Sequence, residues 1–557
     1  MSTPASLPTV KGFGPPNASI MIVADCTTAD DLWKSHPLAG SQGDFFSKLL
    51  HEAGIIRSEC YVTNAWKSRP PEDNIRKLFT QTKSTAQKTG LSSVVGDTWV
   101  HPSVPAAIAV LHEEIAHVNP ATIIALGDFA MFACTGVYGS VDTWRGSHLE
   151  CSAPSTNITV IPTYPPASIY KQWGIKGFCV RDLQRARDAA RRPELYIYPT
   201  YTFHIRPVFS LVRDTLAALL TQVSSGKELA LACDIETIAR HISCIGIAWS
   251  SRESLCIPFM SLEGHYWSEE EEIEIQFLLR ALLTHPLCEV IGQNFNYDNQ
   301  HFAKHLGYLP NLTFDTMIAQ HVLFPGIPKA LDFLSSMYCH WHRYWKDEMN
   351  DYSRLPENME QYWTYNCKDC VTTYEIALVL KQLLEHLQRV PQFDFMLETS
   401  KSALQSMLRG MRIDAKTRSE VAGKLLEAIA EYDALIQDIV GFPLNAGSPQ
   451  QMAKFLYDEL KLPIQVDKKT RRPTTGAKAL EVLSQKEPIV KPLLELIARK
   501  RQLGVFLSTF CLMPLDSDGR MRCSFNVCGT ETMRFSSSEN AFGNGGNLQN
   551  IPKGEKE

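Results

Sequence analysis

The sequence predicts an α/β multidomain protein of three successive parts, and three observations carry that expectation. Residues 1 to about 190 alternate short apolar runs with segments of helical period: IMIVA, FFSKLLHEAGI, CYVTNAW, VPAAIAVLHEEIAHV, ATIIALG and ITVIPTY. Strand and helix in alternation predict a parallel α/β sandwich. Residues 208–388 open instead on three runs, LALACDIET, HISCIGIAWS and SLCIPFM, that read as an antiparallel meander. Helical segments follow them, so a mixed sheet with flanking helices is expected. From Val390 through Val440, leucine and alanine recur at three- and four-residue spacings, the mark of a mostly helical region.

The connections between these parts are read from composition. RRPELYIYPTYTFHIRP, residues 191–207, is rich in proline and aromatics and has neither period, so it is placed as a linker. The polar stretch Ser68 to Gly96 is expected to be a surface excursion from the first sheet. The 557 residues suffice for three or four domains, at about 100 to 200 residues each. No apolar run approaches the roughly 20 residues of a membrane helix. The opening MSTPASLPTVKGFG lacks a basic region followed by an apolar one, so no secretory signal is expected and the protein stays in the cytoplasm. Fifteen scattered cysteines fit reduced thiols rather than a disulfide framework. The net charge of −5 argues against bulk attraction to a polyanion. KKTRR (Lys468 to Arg472) and RKR (Arg499 to Arg501) are either solvated surface or contacts to a phosphate backbone.

The residues that carry chemistry are acidic. In LALACDIET, Asp234 and Glu236 are two positions apart, which on a strand puts both on one face, about 7 Å apart. Like charges that close are costly unless neutralised. GQNFNYD places Asp298 four residues after Asn294, and YNCKD places Asp369 four residues after Tyr365 on one helix face. Four carboxylates and a tyrosine converging suit hard divalent cations with oxygen ligands, two of which can clamp the attacking and leaving oxygens of a phosphodiester. CKDC (Cys367 to Cys370) with CHWH (Cys339 to His342) has spacing compatible with zinc, but overlaps the acidic helix and is read as packing. WHRYW (Trp341 to Trp345) is read as packing under a loop or as a stack for unpaired bases.

The order DxE, NxxxD, YxxxD, with FDTMIAQHVL at Phe314 to Leu323 between the last two, resembles the DnaQ-like 3′ to 5′ proofreading exonuclease domain of family A DNA polymerases. That resemblance implies an RNase H-like fold and two divalent ions, Mg²⁺ or Mn²⁺. Asp234 would bridge both, Glu236 and Asp369 would complete one site, and Asp298 would reach the other through water. Tyr365 would orient the attacking water and Asn294 the DNA end.

LNAGSPQQMAKFLYDELKLP (Leu444 to Pro463) is similar to the thumb of the same polymerases. GTETMRFSSSENAFGNGGNLQNIP resembles two further elements, through Thr530, Thr532, Arg534 and Ser536 and through Asn547 to Pro552. DNA contacts are then expected from Lys468, Lys469, Arg471, Arg472, Arg499, Lys500, Arg501, Thr530, Thr532, Arg534, Asn547 and Gln549, besides Asn294. The palm aspartates of that family lie beyond NLQNIP, and six residues follow Ile551. These 557 residues alone are therefore expected not to copy DNA, with palm and fingers either supplied by a partner chain or belonging to a longer protein of which these residues are a part.

The first part resembles uracil-DNA glycosylases of the iron-sulfur type, through HPLAGSQGDFFSKLLHEAGIIRSECYVTNAWKSRPP, ATIIALGDFAM and VIPTYPPASIY. Asn64 matches the base-reading asparagine, whereas Leu38 stands for a stacking aromatic, Pro165 for the histidine and Ser68 for a cluster cysteine. An inactive fold without an iron-sulfur cluster is expected. The domain expectation is thus a glycosylase-like domain (1–190), a linker (191–207), an exonuclease domain (208–388), and thumb with the beginning of the palm (389–557). A non-catalytic scaffold that docks a separate palm, and an active glycosylase, are the competing readings. The combination of modules suggests a bacteriophage replisome, whose proteins work in the cytoplasm of a bacterial host.

Overall fold

Strand-forming runs and amphipathic helices assemble into two units in the computed structural model, which describes residues 8–154, 157–348, 356–467 and 470–550. One unit takes in the chain up to Gln293 with Asn311–Gln320 and Ile327–Gln388; the other takes in Asn294–Pro310, His321–Gly326 and the chain from Arg389. Among the described residues, no helix is long and apolar enough to cross a membrane. All fifteen cysteines are free thiols, and all but Cys26 and Cys511 are buried.

The first unit is built on two sheets. In the five-stranded sheet the spatial order is Tyr61–Trp66, Ile20–Cys26, Thr122–Leu126, Thr159–Thr163 and Leu149–Glu150. The first four run parallel and only the last, short edge strand is antiparallel. Both faces are apolar: Met21, Val23 and Ile123 face one layer of helices, and Ile22, Ile124 and Ile161 the other. Such two-sided burial is why these strands read as unbroken apolar runs. The stretch Ser68 to Gly96 departs from the expected surface excursion. It contributes Phe79–Thr80 and Ser93–Val95 to a small antiparallel sheet with Thr98–Val100. Leu78 and Phe79 are buried in the core there, apolar positions too few to show a period among polar neighbours.

The six-stranded sheet runs Leu312–Asp315, Cys288–Gly292, Leu229–Ile238, His241–Ala248, Glu253–Pro258 and Thr202–His204. The three central runs form the antiparallel meander, and Cys288–Gly292 joins the strand of Asp234 in parallel. Thr202–His204 pairs in parallel with Glu253–Pro258, so the linker expected at 191–207 supplies an edge strand. Three residues are too few to reveal a two-residue period. The long helix is Met359–His386, capped by Asn358, whose side-chain oxygen accepts the Gln361 N–H at 3.1 Å.

The second unit is mainly helical, with Val390–Arg409, Ala415–Val440, Ala477–Lys486 and Lys491–Phe506 as its longest members. Gly410, at φ +63°, breaks the first from the strand Met411–Arg412, a left-handed backbone that glycine adopts without strain. Leu456, Leu480, Leu483, Leu494 and Ile497 lie at the centre of its apolar core.

Candidate active site

Asp234 and Glu236 leave the strand Leu229–Ile238 on one face, and the ladder to the neighbouring strand pairs them with Gly246 and Cys244. The long helix crosses that face. It can do so because residue 246 is glycine: a Cβ there would lie 2.3 Å from Asn366 Oδ1 and 2.6 Å from Cys370 Sγ. The close approach brings Asp369 to the strand, so that Asp234, Glu236 and Asp369 each offer an oxygen within 4.8 Å of the others. It is the only such group of potential metal-ligating side chains among the described residues, which gives the CKDC and CHWH cysteines and histidines no shared site.

The electrostatics of this group are strained. Three ionised carboxylates at that spacing repel by roughly 3 kcal/mol per pair at an effective dielectric of about 20. Burial, then the neighbouring Asp369, pushes Asp234 up to about 7, against the pull of Lys346 and of the Asn366 amide, which donates to Asp234 Oδ2 at 3.0 Å. Burial, then Asp234 and Asp369, raises Glu236 well above the usual carboxylate range. One cation already belongs to the site. Lys346 Nζ donates to Asp369 Oδ2 at 2.5 Å and to the Tyr365 hydroxyl oxygen at 2.7 Å, and Trp345 Nε1 donates to Asp369 Oδ1 at 2.7 Å. Burial opposes the ammonium charge, but Asp369, Asp234 and Glu236 outweigh it and raise its pKa.

With three carboxylates and one ammonium the formal charge is −2, the complement of one divalent cation before any substrate phosphate arrives. Each Asp369 oxygen uses one lone pair on Trp345 or Lys346 and keeps another. The donor set is all oxygen, as hard cations require, so the residues present fit Mg²⁺ or Mn²⁺.

For Asp298 the expected link to a metal ion runs through water rather than through a direct bond. The residue is buried on the helix Asn296–His301 and is not a member of the three-carboxylate group. That helix belongs to the second unit, where Asn296 Nδ2 donates to Ser400 Oγ at 2.8 Å. Asn294 begins the same segment at φ +55°. Trp345, Lys346 and Asn366 were not singled out as site residues from the sequence. Lys346 follows the cluster WHRYW, and no period ties it to the acidic motifs.

Among the residues expected on DNA, Lys468 and Lys469 lie outside the described residues. Arg471, Arg472, Arg499 and Arg534 are exposed. Lys500 is paired with Asp433 at 3.0 Å. The Arg501 guanidinium donates to the carbonyls of Ala446, at 2.5 Å, and Thr475, which ties it to the helical core. The Thr530 hydroxyl donates to the Arg534 carbonyl and accepts the Arg534 N–H, both at 2.9 Å, and lies 3.3 Å from the Thr532 hydroxyl. Asn547 Oδ1 accepts from Ser537 and from the Gln549 N–H.

In the first sheet, Asn64 is buried and its Nδ2 donates to Thr27 Oγ1 at 3.0 Å and Asp31 Oδ2 at 3.4 Å. The amide nitrogen is thereby turned toward these two side chains, while Asn64 Oδ1 is buried without a hydrogen-bond partner. Leu38 sits at φ +51°, and Pro165 caps the helix Pro166–Lys171 without a side-chain hydrogen bond.

A parallel α/β domain, a mixed-sheet domain with a strand-and-helix carboxylate site and a helical region each have a counterpart among known families. Residues 11–184 match the uracil DNA glycosylase superfamily, residues 209–385 the 3′-5′ exonuclease family and residues 415–557 DNA polymerase family A. Successive stretches of the chain are thus similar to the glycosylase superfamily, to 3′-5′ exonucleases and to family A DNA polymerases, and relatives that match it are DNA polymerases I. That of Synechocystis sp. is 26% identical over 371 residues, 62% of this chain and 36% of that protein. That of Borreliella burgdorferi is 27% identical over 331 residues, covering 58% and 35%. The thermostable DNA polymerase I of Thermus aquaticus is 35% identical over 149 residues, covering 26% and 17%. The chain spans at most 36% of the length of these three relatives.

Proposed function

We propose that the protein acts in DNA replication as a proofreading enzyme that hydrolyses the terminal phosphodiester at a DNA 3′ end, with Asp234, Glu236 and Asp369 as the ligands of its divalent cations. The observation that carries this reading is the gathering of three mutually repelling carboxylates within 4.8 Å in a domain of the exonuclease family. Structural stability gives no reason to collect them. When bound, a pair of Mg²⁺ or Mn²⁺ ions supplies Lewis-acid stabilisation of the charge that builds on the phosphate. The chain's own residues do the rest. Asn366 fixes the rotamer of Asp234, and Trp345 and Lys346 fix that of Asp369. The Tyr365 oxygen accepts from Lys346, which turns its own proton away from the ammonium and toward an incoming water.

In the same reading the exposed arginines Arg471, Arg472, Arg499 and Arg534 contact DNA backbone in the polymerase-like segment. The protein then works where the DNA is, in the cytoplasm. The glycosylase-superfamily domain serves as a structural module, as the Asn64 amide nitrogen turned toward Thr27 and Asp31 supports. The test is digestion of a 5′-labelled single-stranded oligonucleotide. Mg²⁺-dependent shortening from the 3′ end, abolished in Asp234→Ala with Glu236→Ala, is expected. Equal shortening by that variant would overturn the proposal.

A further inference from the structure

The segment that carries Trp345 and Lys346 is gripped along its length by the glycosylase-superfamily domain. Arg145 Nη1 donates to Ser336 Oγ at 2.7 Å, and Arg185 Nη2 donates to the Cys339 carbonyl at 2.8 Å. The His342 carbonyl accepts the His148 N–H at 2.7 Å and lies 3.0 Å from His148 Nδ1. The Tyr344 N–H donates to Ser147 Oγ at 3.1 Å. The four anchors fall at 336, 339, 342 and 344, and the last is two residues from the lysine that holds Asp369 and Tyr365.

The grip is rigid on the donor side. Arg145 and Arg185 are 2% and 1% exposed. Asp182 accepts from Arg145 Nε at 2.9 Å and from the Thr163 hydroxyl at 2.8 Å, and Arg185 Nη1 donates to the Gly146 carbonyl at 2.8 Å. Two domains that merely adhered would be served as well by apolar side chains, since buried ion pairs are seldom superior to them in stability. A planar guanidinium held by such bonds contributes direction instead, fixing where a carbonyl or hydroxyl must lie.

We propose that the glycosylase-superfamily domain is a positioning platform for the exonuclease centre, with Arg145, Ser147, His148 and Arg185 holding the backbone from which Lys346 and Trp345 reach Asp369 and Tyr365. The proposal rests on the reading of the carboxylate group as the cleavage centre. These four are positioning residues and touch no substrate.

The test uses the full chain. Amide hydrogen exchange on the metal-free protein is compared between wild type and Ser147→Ala, a small change that removes one anchor. Faster exchange spreading from Tyr344 through Trp345 and Lys346, with the strand Leu229–Ile238 unchanged, is expected. Faster exchange confined to Tyr344 would overturn the platform. In single-stranded DNA digestion, Arg185→Gln is expected to lower kcat on the order of tenfold to a hundredfold at unchanged KM. It should cause no further loss in a Trp345→Phe, Lys346→Ala background, because in this account Arg185 acts only through the contacts that those two residues make with Asp369 and Tyr365. Losses that multiply, or an unchanged kcat in folded Arg185→Gln, would contradict the proposal. If Arg185→Gln does not fold, Ser147→Ala takes its place in the same cycle. If wild type shows no digestion, the exonuclease reading falls, and the exchange measurement alone decides the platform.

Discussion

Replacing Glu236 by glutamine should make the metal-free protein more stable while removing its response to metal. Glu236 stands within 4.8 Å of the oxygens of both Asp234 and Asp369, so the substitution deletes two like-charge contacts of roughly 3 kcal/mol each. Near pH 7 part of that repulsion is already relieved by protons, since burial and the neighbouring carboxylates push Asp234 up to about 7 and raise Glu236 well above the usual carboxylate range. The expected net gain at pH 7 is therefore about 1 to 3 kcal/mol, growing as pH rises above 7 and Asp234 ionises. Thermal melts in a chelator should show a rise of about 2–4 °C per kcal/mol for a domain of this size. Millimolar Mn²⁺ should raise the wild-type melting temperature and leave that of Glu236→Gln nearly unchanged. A variant less stable than wild type in chelator, or one with an undiminished Mn²⁺ response, would refute the reasoning.

Other expectations follow from single contacts. Gly246→Ala places a Cβ 2.3 Å from Asn366 Oδ1, so it should destabilise the exonuclease domain by about 1–3 kcal/mol and slow digestion, read by melting and rate on one preparation. Asp25 is raised to about 7, first by burial and next by Asp128, against the Ala130 N–H. A carboxyl raised on folding adds stability that is full below its unfolded pKa and is lost as pH rises through the folded one. Wild type should thus lose about 2–3 kcal/mol relative to Asp25→Asn between pH 5 and 8, measured by denaturant unfolding. Arg501→Ala should lower the stability of the helical unit by about 1–3 kcal/mol, with the salt dependence of DNA binding unchanged. Arg534→Ala should lower the slope of log affinity against log salt by about 1. Uracil excision from a uracil-containing oligonucleotide should be undetectable, because the Asn64 amide nitrogen is turned toward Thr27 and Asp31.

Much of the site was legible because it obeys local periods. The two-residue spacing of Asp234 and Glu236 and the four-residue spacing of Tyr365 and Asp369 are fixed by strand and helix geometry, so the faces could be assigned from residue order. What the sequence left open were contacts set by packing between distant segments. Lys346 reaches Asp369 because a loop is folded against another domain, and nothing periodic marks it. Arg501 lies in a basic run that reads like a DNA contact, and only the nearby carbonyls of Ala446 and Thr475 reveal its structural use. The short strand Thr202–His204 and the small sheet around Phe79 fell below the length at which alternation becomes visible.

Diffraction from crystals grown with Mn²⁺, using the metal's anomalous signal, tests the cation-binding claim most directly. Manganese density is expected in bonding contact with oxygens of Asp234, Glu236 and Asp369, and absent in the Glu236→Gln protein. Wild-type crystals with no peak among those three carboxylates, and Lys346 still the one cation beside them, would contradict it.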